Sequence, residues 1–75
     1  MFNKNIFGER LRKLRNEKKV NQKTIAELLN VTITQVSDIE NGKTTTSLER
    51  VYILADYFNV STDYLLGRSD NPERH

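Results

Sequence analysis

The stretch Gln22–Gly42, QKTIAELLNVTITQVSDIENG, decides the fold. Ile25, Ala26, Leu28 and Leu29 recur at helical spacing from Gln22 to Leu29. Asn21, just before them, offers a side-chain oxygen to the free amides of a first turn. A second helical pattern runs from Ile33 to Asn41. Thr32 and Gln35 form a T-x-x-Q capping box at its start, and Gly42 suits the positive-φ position past its end. Only Ile33, Val36 and Ile39 are apolar in it, so the predicted helix has a narrow buried stripe and a wide polar face. Between the two patterns stands Asn30. After glycine, asparagine is the residue most tolerant of left-handed backbone.

Working outward, three more helices follow from period and caps. The first spans Ile6 to Lys18, with Phe7, Leu11 and Leu14 on one face. The fourth spans Leu48 to Phe58, with Leu48, Val51, Leu54, Ala55 and Phe58 on its core face. A Thr46–Glu49 capping box starts it, and Ser47 competes as the cap. The fifth spans Thr62 to Leu66, capped by Ser61, stapled by Val60 and Leu65, and stopped by Gly67. No segment alternates convincingly, and no internal repeat or low-complexity tract stands out. The expectation is an all-α, five-helix domain over residues 1–67. A polar, flexible tail over 68–75 completes it. At 75 residues the chain is one domain, burying only about 60% of its unfolded surface.

Several function classes fall away. There is no cysteine, so neither a disulfide nor a thiolate metal site is available. No run approaches the roughly 18 apolar residues of a membrane span, and MFNKNIFGER lacks a signal peptide's apolar core. A soluble, cytoplasmic protein is expected, with no membrane partner. The single histidine is His75, in the tail, so no serine or threonine has a stable histidine partner. No metal spacing is present. The expectation is no enzyme, no cofactor and no small-molecule substrate. Net charge is only +2, but it is unevenly spread. Residues 1–23 hold eight Lys/Arg against Glu9 and Glu17, while residues 24–75 hold four against eight acidic groups. A chain with one basic end can orient on a polyanion, although a solvated basic first helix shows the same pattern.

A tight helix-turn-helix needs a small residue where its helices cross, a positive-φ residue in the turn and two apolar anchors on its second helix. Ala26, Asn30 and the pair Val36 and Ile39 meet these needs in order. A generic helical hairpin shares part of this set. The alternative use, presenting a helix to the DNA major groove, is the sharper one.

On these residues the chain resembles the Cro/repressor-like (Xre-type) helix-turn-helix regulators. Gln22, Ala26, Val36, Ile39 and the run Glu40-Asn41-Gly42 carry the resemblance, and LADYFNVSTDYLLG at 54–67 resembles the family's closing helices. It covers about Phe7 to Gly67. Asn30 stands where many members have glycine, and Thr46 where many have proline. The resemblance implies a lambda-repressor-like fold with the helix-turn-helix at helices 2 and 3, and 33–41 as recognition helix. Ile33, Thr34, Ser37 and Asp38 would face bases, with Gln35 divided between them and its capping box. Gln22 and Lys23 would meet the DNA backbone with Thr32, Asn41, Lys43 and Thr44. Arg15 and Glu40 would form a structural salt bridge.

The resemblance also implies a homodimer on a palindromic double-stranded operator, repression, and pairing near the fifth helix. Tyr57, Phe58, Tyr64, Leu65 and Leu66 are the candidates for that surface. A rival reading makes the same aromatic face the site of a protein-interaction module, an antitoxin or adaptor, with DNA binding secondary.

Overall fold

The computed structural model describes residues 2–73. His75 and Arg74 lie outside the described residues, and so does the expectation placed on that histidine. Five α-helices follow one another: α1 Lys4–Lys18, α2 Gln22–Leu29, α3 Ile33–Glu40, α4 Leu48–Phe58 and α5 Thr62–Leu65. Each begins at a side-chain cap. Asn3, Asn21, Thr32, Ser47 and Ser61 all accept from amides in the following turn. α1 starts two residues earlier than its apolar period suggests, because Asn3 accepts from Asn5 N at 2.9 Å and from Ile6 N at 3.3 Å. Ser47, not Thr46, caps α4, accepting from Arg50 N at 3.2 Å.

Three of the connections are one device used three times. Lys19, Asn30 and Asn59 each adopt φ between 56° and 60°. In each case the next residue is a valine whose N–H reaches back five positions: Val20 to Arg15 O, Val31 to Ala26 O, Val60 to Ala55 O. This is the helix ending that satisfies the last carbonyls and folds an apolar side chain back onto the body. The valine is followed at once by the next cap: Asn21, Thr32 or Ser61. The repeat is short and dispersed, and it is invisible to a search for long periods. Only the link from α3 to α4 is longer, over residues 41–47.

The core joins Phe7, Leu11 and Leu14 of α1 to Ile25, Ala26 and Leu29 of α2, Val36 and Ile39 of α3, and Val51, Leu54 and Ala55 of α4. Val60, Tyr64 and Leu65 close it. α1 packs on α3 and α5, α2 on α3, and α4 on α5. The approach of α1 to α3 is made at the backbone. A Cβ placed on Gly8 would stand 2.2 Å from the Ile39 carbonyl oxygen and 2.8 Å from that of Glu40. Only glycine permits that contact.

Leu48 departs from its expected place on the core face, being 80% exposed. It opens the first turn of α4, beyond the reach of the other helices' side chains. Residues 68–73, expected as a flexible tail, lie back across α5. Ser61 N donates to Pro72 O at 3.0 Å, and Arg10 bonds to Ser69 O at 2.6 Å and to the Asp70 carboxylate at 2.7 Å. Among the described residues no helix is long and apolar enough to cross a membrane.

Candidate nucleic-acid interface

The helix-turn-helix presents α3 on two anchors. Val36 and Ile39 are buried, which turns Thr32, Thr34 and Gln35 fully outward and leaves Ser37 and Asp38 half-buried at the margin. Ile33 is 49% exposed at the first turn, an apolar side chain held out in solvent. At 1.5 Å per residue, eight residues make a helix about 12 Å long, enough for three or four base pairs.

The cap restricts one candidate reader. Thr32 Oγ1 accepts from Gln35 N at 3.1 Å, and the Gln35 side-chain oxygen accepts from Thr32 N at 2.8 Å. Gln35 therefore keeps only its NH2 group for a base, so it can donate but not accept. Asp38 lines a recess with Gln35, Thr44, Thr45, Thr46 and Arg50, between α3 and the link to α4.

At the other end of α3, Glu40 forms a buried hub. Its carboxylate takes Arg15 Nε at 2.6 Å, Arg15 Nη2 at 3.1 Å and the Gln22 amide nitrogen at 3.1 Å. Arg12 Nε stands 3.6 Å away. One side chain thus ties together α1, α2 and α3. Arg15 completes its fork by donating to Val20 O at 3.1 Å. A lone buried carboxylate would be strongly destabilising, and this one has three close donors. Gln22, expected at a phosphate, is half-buried with one amide hydrogen given to Glu40, so a single amide hydrogen and the α2 N-terminus are left for a backbone contact.

Asn41 continues from the hub. Its side-chain oxygen accepts from Arg12 Nη2 at 2.7 Å, and its NH2 group lies 3.4 Å from Ser37 Oγ. Lys23, Lys43 and Thr44 are exposed. The structure therefore separates the candidates into two groups: Thr32 to Gln35 at the start of α3, and Ser37, Asn41 and Arg12 at its end. Arg12 and Gly8 were not singled out from the sequence. Gly8 carried one signal, a glycine in mid-helix where alanine is intrinsically better. Arg12 carried none that set it apart from seven neighbouring cations.

Burial withdraws two of the five side chains expected at the pairing surface. Leu65 is fully buried and Tyr64 nearly so. Tyr64 is covered by the Arg10 guanidinium, 4.4 Å from the ring centre. The remaining three side chains are half-buried. Tyr57 and Phe58 meet edge to face, with Lys18 over the Tyr57 ring and Phe58 in a groove beside Lys13 and Leu14. Leu66 lies in a separate recess with Phe2, Gly67 and Arg68. Burial likewise withdraws Tyr64 and Leu65 from the face named in the adaptor reading. The large exposed apolar side chains are instead Leu48 and Tyr52 on α4, with Phe2 and Ile33. Among the described residues no group of three or more His, Asp or Glu is placed to hold a metal ion.

Known proteins bear on this geometry. The helix-turn-helix family matches residues 11–65. An uncharacterised HTH-type transcriptional regulator of Bacillus subtilis, YobD, is 31% identical over 68 residues, covering 91% of this chain and 61% of its own length. The restriction-modification controller protein C.AhdI of Aeromonas hydrophila is similar in structure, with TM-score 0.72 and 32% identity, covering 83% of this chain and 94% of that one. The P22 c2 repressor, solved with a synthetic operator, has TM-score 0.77 and 28% identity, covering 85% of this chain and 97% of that one. The chain spans 61%, 56% and 50% of the length of three curated relatives it matches.

Proposed function

Because this chain belongs to the Cro/C1-type (Xre-like) helix-turn-helix family of transcriptional regulators, we propose that it binds double-stranded DNA sequence-specifically and represses transcription as a homodimer. The observation that carries the reading is α3 itself. Val36 and Ile39 pin it to the core, while a polar edge from Thr32 to Gln35 faces solvent with nothing covering it. That edge enters the major groove. Ile33 packs on a thymine methyl, Thr34 and Ser37 bond to base edges, Gln35 donates through its NH2 group, and Asp38 accepts from a cytosine amine at the groove margin. Gln22, Lys23, Thr32, Asn41, Lys43 and Thr44 hold phosphates and set the register.

A helix this short reads too few bases for useful specificity, so two copies are needed on a palindromic operator. Leu48 and Tyr52 stand one turn apart on α4, 80% and 64% exposed, and are the apolar pair best placed to join them. Repression follows from occupancy of the operator. A selection from random duplexes tests the reading. It is expected to return two inverted half-sites about 10 bp apart. Thr34→Ala should alter the bases selected, and Lys43→Ala should weaken all sequences alike. Protein that shows no preference among duplexes at micromolar concentration would sink the proposal.

A further inference from the structure

We infer that α1 supplies a second phosphate-binding edge, in which Lys4 and Arg12 join Lys43 to hold a DNA backbone at the C-terminal end of α3. The inference rests on the DNA-binding reading above. Positions 4, 8 and 12 form one stripe along α1, which meets the end of α3 at Gly8 and Arg12 and the link beyond it at Lys4. Lys4 Nζ donates to Lys43 O at 3.3 Å. Gly8 brings the α1 backbone against the Ile39 and Glu40 carbonyls. Arg12 Nη2 donates to Glu40 O at 3.2 Å and to the Asn41 side chain at 2.7 Å.

Charge and exposure then divide the two arginines. Glu40 is matched at close range by Arg15, whose side chain is only 16% exposed. Arg12 is 45% exposed and lies 3.6 Å from the same carboxylate, so its charge is surplus and reaches solvent. The C-terminal end of a helix carries partial negative charge and repels phosphate. Cations gathered there reverse the sign. One cation suffices to cap a helix, and Lys4 reaches past α3 altogether, to the link beyond it. Arg12 also takes the Asn41 oxygen through Nη2, which leaves one Asn41 amide hydrogen and the Arg12 Nη1 group as donors. A guanidinium fixed in place through Nη2 is suited to donating to phosphate through Nη1.

Binding of the full chain to random-sequence duplex DNA, followed by fluorescence anisotropy from about 50 to 200 mM NaCl, tests the edge. Arg12→Gln and Lys4→Gln are each expected to lower the slope of log K against log salt by about 0.9, and to weaken binding about fivefold near 0.15 M. Lys13→Gln is the control. It removes the same charge from the same helix, but Lys13 faces the groove lined by Phe58, Asn59 and Pro72. It should leave the slope unchanged. The edge is overturned if Arg12→Gln lowers the melting temperature yet keeps the wild-type slope, which marks a purely structural residue. It is equally overturned if Lys13→Gln lowers the slope as much, which marks a net-charge effect. A wild type that binds no duplex overturns the DNA-binding reading and this edge with it.

Discussion

Replacing Gly8 by alanine should destabilise the protein, although helix propensity argues the opposite. On propensity alone alanine is favoured by about 1 kcal/mol in a helix interior. The new Cβ, however, would stand 2.2 Å from Ile39 O, and ordinary van der Waals contact begins at 3.4 Å. The obstructing atom is backbone at the end of α3, so no side chain can swing aside. α1 and α3 must separate by about 1 Å, and that motion also stretches the Arg15–Glu40 bonds, now 2.6 and 3.1 Å. Overpacking of this kind costs about 3 kcal/mol at the upper end of its usual range. After the propensity gain the net loss is about 2 kcal/mol. For a domain of this size that lowers the midpoint by roughly 8–16 °C. Thermal and urea unfolding followed by circular dichroism measure it, with the exposed neighbour Glu9→Ala reporting propensity alone. A Gly8→Ala protein as stable as wild type would refute the close backbone approach.

Glu40→Ala leaves Arg15 half-buried and stripped of its carboxylate. It is expected to cost about 3 kcal/mol in urea unfolding, more than removal of Asp70, the fully exposed partner of Arg10, would. Lys19→Gly should stabilise by about 0.5–1 kcal/mol, because lysine there holds a left-handed φ of 60°. Asn30→Gly, at φ 57°, should change stability by less than about 0.5 kcal/mol, since asparagine already tolerates that conformation. Leu65→Ala should cost about 2–5 kcal/mol and Tyr52→Ala no more than about 0.5 kcal/mol, while Tyr52→Glu should halve the mass measured by sedimentation equilibrium.

What the sequence made legible was local chemistry. Asn21, Thr32 with Gln35, Asn30, Gly42 and Ser61 each act through atoms within a few residues, so their roles can be read from spacing. The buried faces of α2 and α3 were legible too, because Ile25, Leu29, Val36 and Ile39 have no other place to go. What escaped depended on distant partners. Gly8 looks like a weak point in a helix until the α3 carbonyls are placed against it. Leu48 fits the period of α4, yet period cannot say where the neighbouring helices stop. Tyr64 and Leu65 fit a pairing surface by residue type alone. A four-residue helix lets them cap the core, and Arg10 reaches across from α1 to seal the ring. On the candidate DNA-binding face, residue types suggested contacts one by one. That Arg12, Ser37 and Asn41 act on one another came only from the fold.

The thrice-used connector has a consequence for how this chain can change length. Each is a left-handed residue, a valine and a cap, with no slack between two helices. Adding one residue to any of them would break the valine's return bond to the preceding helix and move the cap off the first turn of the next. Insertions there should be lethal to folding. The seven positions 41–47 between α3 and α4 are the exception, since longer links cost little extra closure entropy. A single-glycine insertion scan should therefore show one permissive window, beside the end of α3. The same window follows the proposed recognition helix, so length variation tolerated by the fold would fall next to it.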